Sequence, residues 1–130
     1  MSFTNLAYIT NATLADNVTM NNTCIILTLD NVVEILDNIQ TTNYVANQPL
    51  ISTPEEVSPD QDLCFNVVVY DGEYKTDKLF IGSNGKYYLA NSYSSVVVYT
   101  NGFIFNIANK FYNAENGTNT YMSGDLSEDV

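Results

Sequence analysis

The sequence contains no histidine, no arginine and no tryptophan. Without histidine there is no Ser-His-Asp or Cys-His nucleophile activation, no metalloprotease helix and no imidazole ligand for zinc. Without arginine there is no bidentate phosphate clamp, and four lysines neutralise too few phosphates for ordinary nucleic-acid binding. The same shortage excludes an adhesive cationic membrane face. No apolar run approaches the length needed to span a bilayer. The first residues, Met1-Ser2-Phe3-Thr4-Asn5, lack the positive region and apolar run of a secretory signal, so the expectation is synthesis in the cytoplasm without a signal peptide.

What is present is acidity and amide. Fifteen Asp and Glu face four Lys, for a formal net charge of -11 over 130 residues, a length that suits a single domain around one core. Asn (18), Tyr (10) and Ile (9) are abundant, as AT-rich codon usage produces, whereas Lys, which the same drift should raise, stays scarce. All four lysines fall between residues 75 and 110, so the acidity is directional along the chain. Such a surface either keeps a protein soluble by repulsion or meets a basic partner. The two cysteines, Cys24 and Cys64, sit in the apolar runs CIILTL and LCFNVVVY, where reduced buried thiols are expected. A disulfide between them would require neighbouring strands.

The C-terminal half reads as strands. Asp71-Gly72, Asn84-Gly85, Asn101-Gly102 and Asn116-Gly117 are the dipeptides that accept positive φ at both centres of a tight hairpin turn. Between them lie β-branched and aromatic runs: Leu63 to Tyr70, Tyr74 to Ile81, Lys86 to Ala90, Ser95 to Thr100 and Phe103 to Phe111. In the last, Phe103, Phe105 and Ile107 fall on one face and Asn106, Ala108 and Lys110 largely on the other, as a half-buried strand requires. Phe65 to Tyr70 and Val96 to Tyr99 are apolar on both faces and need cover on two sides, from a second sheet or another subunit. NGKYYLANSY and NGFIFNIANKFY resemble one another and fit two successive hairpins.

Upstream, Phe3 to Thr10 and Cys24 to Leu29 read as strands. Asn31 with Glu34 has capping-box spacing and Val32, Leu36 and Ile39 recur at helical spacing, which predicts a short helix from Val32 to Gln40, with a strand as the alternative. Residues 41–62 carry all three prolines and the acidic cluster Glu55, Glu56, Asp60 and Asp62, and read as a loop or arm that is excluded from a central strand. Residues 115–130 read as a polar acidic tail. The expected fold is all-β, or β-dominated with one short helix, arranged as an antiparallel sandwich or a barrel-like meander over a single domain, 1–130.

Carboxylate pairs exist at Glu55-Glu56, Asp60 with Asp62, and Asp71 with Glu73, but all lie in turns or beside prolines, where solvated charges are the usual occupants. The loop carboxylates lack the spaced ligand pattern of an EF-hand. No catalytic, cofactor-binding or metal-binding residue is therefore assigned, and the chain reads as a non-enzyme. Tyr87, Tyr88, Tyr93 and Tyr99 cluster around the NGKYY turn and suit either sugar stacking or a protein interface, where tyrosine is enriched. FNVVVY, SVVVYT and NGFIFNI are uncharged, β-prone and free of proline, so their edges must be hidden within the fold or between copies.

This combination resembles small β-rich structural proteins from the virions of tailed bacteriophages with AT-rich genomes, such as capsid auxiliary or decoration proteins. The likeness is of composition and architecture over the whole chain. It implies a virion location, protein-protein contacts with the major capsid or other virion proteins, homo-oligomerisation, no cofactor, and no nucleic-acid or membrane partner. On that likeness Leu50, Ile51 and Val57 of the proline loop, together with Tyr87, Tyr88, Tyr93 and Tyr99, become the expected contact residues. The alternatives are a carbohydrate- or receptor-binding β-sandwich and a collar, tail or fibre component.

Overall fold

In the computed structural model, which describes residues 6–107, the chain forms twelve antiparallel strands. They are β1 (Leu6–Asn11), β2 (Thr13–Leu14), β3 (Val18–Thr19), β4 (Cys24–Thr28), β5 (Val32–Ile35), β6 (Ile39–Tyr44), β7 (Ile51–Ser52), β8 (Leu63–Tyr70), β9 (Tyr74–Ile81), β10 (Lys86–Leu89), β11 (Tyr93–Val98) and β12 (Ile104–Asn106). Eight of them make one sheet in the order β2-β7-β10-β9-β8-β11-β6-β3, and four make a second in the order β1-β4-β5-β12. The terminal strands of the larger sheet, β2 and β3, are joined by a tight turn in which the Val18 amide donates to the Ala15 carbonyl. The larger sheet is thereby nearly closed and barrel-like, a form that leaves little open edge.

Alternation decides which side chains enter the core. Along β4 and β5 the inward residues Ile25, Leu27, Val33 and Ile35 are buried, and along β9 and β10 so are Leu79, Ile81, Tyr87 and Leu89. Each such burial contributes roughly 2 kcal/mol. Phe65 of β8 links the two sheets, its ring 5.2 Å from Phe103 and 6.0 Å from Phe105. Phe105 and Ile107 are buried and Asn106 is exposed, as the alternation predicted; the expected strand beyond Ile107 lies outside the described residues, as do the Asn116-Gly117 turn and the acidic tail 115–130.

Three expectations are corrected. Residues Val32 to Gln40 are not a helix but, as the strand alternative had it, the whole of β5 followed by the first two residues of β6, and the one helical element among the described residues is the 3-10 turn Glu55–Val57. The β-branched Val32, Val33 and Ile35 fit a pleated surface, and Asn31 sits at φ 65°, unlike an N-cap. Residues Thr41–Tyr44 belong to β6, which is paired on both sides by β3 and β11. The prolines govern only their own neighbourhood, and all three lie outside strands. The Asn-Gly repeat also divides: Asn84-Gly85 closes the β9–β10 hairpin, whereas Asn101-Gly102 carries the chain from the larger sheet to the smaller one.

At the Asp71-Gly72, Asn84-Gly85 and Asn101-Gly102 turns only the glycine takes positive φ, not both centres as expected, while left-handed backbone is supplied elsewhere by Asn17, Asn31, Asn43 and Asn47. Asn43 breaks the alternation of β6, so that Tyr44 turns inward. Gly85, at φ 82°, cannot carry a side chain, since a Cβ there would meet the Thr53 carbonyl oxygen. That close approach seats the proline segment, whose Thr53 amide donates to the Gly85 carbonyl over 2.8 Å.

The Tyr87 hydroxyl is the buried side-chain polar atom without a hydrogen-bond partner among the described residues. Removing it orphans no other group, so Tyr87→Phe is expected to be neutral or to stabilise by up to about 1 kcal/mol. Urea unfolding checks this, and a loss above that size would contradict it.

Candidate functional site

The strand pair β8–β9 is the longest ladder among the described residues, running from Leu63 opposite Ile81 to Tyr70 opposite Tyr74. Its inner positions, Phe65, Val67, Val69, Leu79 and Ile81, face the core. Its outer positions, among them Val68, Tyr70 and Tyr74, are uncovered. At the tip, beside the Asp71-Gly72-Glu73 turn, the Tyr70 and Tyr74 rings lie 4.8 Å apart and Tyr99, which follows β11, packs 5.9 Å from Tyr74. The Tyr99 amide donates to the Val68 carbonyl over 3.0 Å, which ties that ring to β8. Tyr74 is 70% exposed and Val68 49% exposed. A hydrogen bond between the Tyr99 and Tyr74 hydroxyls pushes the Tyr99 phenol above its usual range.

Charge frames this patch on one side. Lys75 Nζ lies 3.0 Å from Asp71 Oδ2 and 3.9 Å from Glu73 Oε2, which leaves the turn with a net negative charge. These exposed pairs add little stability. Asp62 Oδ1 accepts the Ser83 amide at 2.8 Å, and so shapes a turn. Among the described residues no three His, Cys, Asp or Glu side chains converge on a point where a metal ion could be held.

The expected contact residues divide sharply. Leu50, Ile51 and Val57 are buried, as are Tyr87 and Tyr93; Tyr88 is half-buried and Tyr99 exposed. The proline loop is therefore not an arm. Leu50 is pinned by backbone bonds, its amide donating to the Tyr87 carbonyl and its carbonyl accepting from Ala15, and Ile51 is paired with both Leu14 and Tyr87. Tyr87 packs against Phe105 in the core. Tyr93 donates to Asp77 Oδ2 over 2.7 Å while Asn91 Nδ2 and the Lys78 amide donate to Asp77 Oδ1, so the buried Asp77 carboxyl is fully engaged by its own fold. Tyr70, Tyr74 and Val68 were not singled out from the sequence. Their signal was parity: Val68 and Tyr70 share the face opposite Val67 and Val69.

Cys24 and Cys64 are free and lie in different sheets, Cys24 half-buried and Cys64, against expectation, exposed on the outer face of β8. Further along that face, Cys64, Phe80 and Tyr88 form a cross-strand row over β8, β9 and β10. Two shallow depressions flank the row, one of ≈ 290 Å³ lined by Asn47, Phe80 and Tyr88, the other of ≈ 260 Å³ lined by Asp62, Phe80, Gly82, Asn84 and Tyr88. No helix among the described residues is long and apolar enough to cross a membrane. Comparison with family models, curated proteins and solved structures yields no match to this chain.

Proposed function

We propose that this is a non-enzymatic structural protein that works through protein-protein contacts, in the setting the compositional likeness points to: a capsid-associated auxiliary or decoration protein of a tailed bacteriophage. The observation that carries the reading is the exposed Tyr70–Tyr74–Tyr99 cluster with Val68 on an otherwise complete sheet. Tyrosines offer large rigid contact area at low entropic cost, and they are enriched where proteins meet. The two-faced apolar strands thus have one face covered by the protein's own core and the other left for a partner. The net negative turn beside the patch suits a shell surface that presents a basic group.

Attachment to purified particles, read by co-sedimentation, tests the reading. The combined Tyr70→Ala, Tyr74→Ala and Tyr99→Ala variant is expected to lose at least about 2 kcal/mol of binding, or roughly thirtyfold in affinity, because truncated anchor residues at interfaces cost that much. Unchanged attachment would sink it. The second reading, a carbohydrate-binding module, rests on the same exposed rings, which could stack sugars. Tyrosine-dependent binding to a glycan array without particle attachment would favour it.

A further inference from the structure

The smaller sheet also carries exposed apolar side chains on one face, with half-buried ones between them. Across its four strands the cross-strand partners Ile9, Ile26, Glu34 and Ile104 form one continuous row, since Ile9 faces Ile26, Ile26 faces Glu34 and Glu34 faces Ile104. Partners directly opposite in an antiparallel ladder project to the same side. The neighbouring residues Ile25, Leu27, Val33, Ile35 and Phe105 are buried in the core, so this row points outward. Ile9 is 57% and Ile104 59% exposed. A carboxylate thus stands in the middle of an apolar stripe, with no cation in ion-pair reach among the described residues.

The opposite chemistry occupies the far end of the barrel's outer face, away from the tyrosine cluster. There the apolar row Cys64, Phe80 and Tyr88 is bordered by Lys78 and Lys86, both exposed. Lys78 Nζ donates to the neutral Asn66 Oδ1 over 2.7 Å, and no carboxylate of the described residues forms an ion pair with either lysine. The one carboxylate bordering the depressions, Asp62, is committed to the Ser83 amide. An apolar stripe centred on an anion and an apolar row bordered by cations are complementary, and they lie on different sheets of the same chain.

We propose that the chain self-associates head to tail, the Ile9–Ile26–Glu34–Ile104 row of one copy seating against Phe80 and Tyr88 of the next, with Glu34 meeting Lys78. An isologous pairing of the smaller sheet would bring two carboxylate-centred stripes together and leave the lysines unused. A heterologous contact of this kind repeats, and gives rings when the rotation closes and filaments when it does not. It uses neither Tyr70, Tyr74 nor Tyr99, so it stands apart from the particle contact, and the two are read by different assays.

Sedimentation velocity on the whole chain, at a salt concentration that screens repulsion between copies of net charge -11, tests the proposal. The wild type is expected to gain mass beyond the dimer as concentration rises over about 10 µM to 1 mM. Glu34→Lys and Lys78→Glu should each weaken association at least tenfold, and mixing the two variants, or combining both changes in one chain, should restore it. Glu34→Gln, which keeps the side-chain shape, should weaken it severalfold, with thermal unfolding confirming that the fold is kept. A wild type that stays monomeric, a plateau at the dimer, or a charge swap that fails to restore association would each overturn the head-to-tail contact. Particle co-sedimentation of Glu34→Gln should match the wild type at concentrations where both are monomeric, and a loss there would also overturn the independence of the two surfaces.

Discussion

Leu50→Ala is expected to lower the unfolding free energy by about 3 kcal/mol, which for a domain of this size is a fall of roughly 10 °C in Tm. Leu50 lies in the proline-bearing segment that composition alone assigns to the surface, yet it is 0% exposed. Its backbone is held from both sides, by the Tyr87 carbonyl at 2.7 Å and the Ala15 amide at 3.0 Å, so the surroundings have little freedom to collapse into the space left by the truncated side chain. The cost therefore includes the lost transfer of the side chain and the cavity behind it. Val45→Ala is the matched comparison, because Val45 is apolar, close in sequence and 60% exposed, and it should change stability by less than about 0.5 kcal/mol. Differential scanning calorimetry separates the two. Equal, small losses would mean that residues 41–62 are a loose arm after all.

Alkaline unfolding is the second large effect. Burial raises the phenols of Tyr44, Tyr87 and Tyr93 above the ordinary value of 10.0, and for Tyr93 the hydrogen bond to the Asp77 carboxyl pushes in the same direction. In the unfolded chain each releases its proton near pH 10, whereas the folded chain holds it to higher pH. Between those points the native state binds more protons than the unfolded state, so stability falls as pH rises; below pH 10 both states are protonated and these groups contribute no pH dependence. A group held fully protonated in the folded chain and fully ionised in the unfolded one contributes at most about 1.4 kcal/mol per pH unit, so the fall steepens with each buried ring that resists ionisation. Far-UV circular dichroism from about pH 9 to 12 should therefore show a cooperative collapse beginning just above pH 10. A native spectrum persisting to the top of that range would contradict the buried placement of these rings.

Much of the larger sheet was legible because its signals agree. Leu63–Tyr70 and Tyr74–Ile81 match the expected strands to the residue, since alternation, β-branched content and the Asp71-Gly72 turn all point the same way. The N-terminal half was less legible where two periodicities overlap. Val32, Leu36 and Ile39 satisfy helical spacing, and Val33 and Ile35 satisfy strand alternation; the core accepted the latter because Val33 and Ile35 fill it. Asparagine misled in a related way. Asn43 sits within β6 at positive φ, which the residue tolerates and which no local pattern announces.

The candidate surface was half legible. That apolar two-faced strands need outside cover followed from FNVVVY, and Val68 and Tyr70 are uncovered on one face. Which tyrosines occupy that face did not follow, because proximity to the NGKYY turn favoured Tyr87 and Tyr93, whose inward direction is set by register with β7, β9 and β6 rather than by their neighbours in sequence. The lysines of β9 and β10 stand on the larger sheet, and Glu34 stands on the smaller one.

The most direct measurement is a photo-crosslink from the tyrosine face. With a photoreactive phenylalanine analogue in place of Tyr74, the most exposed ring of the cluster, irradiation of protein bound to purified particles should give one discrete adduct with a shell protein, and the same analogue at Asn22, an exposed position remote in sequence from the cluster, should give none. Adducts at Asn22 with none at Tyr74 would place the contact elsewhere and contradict the assignment of the tyrosine face as the working surface of this protein.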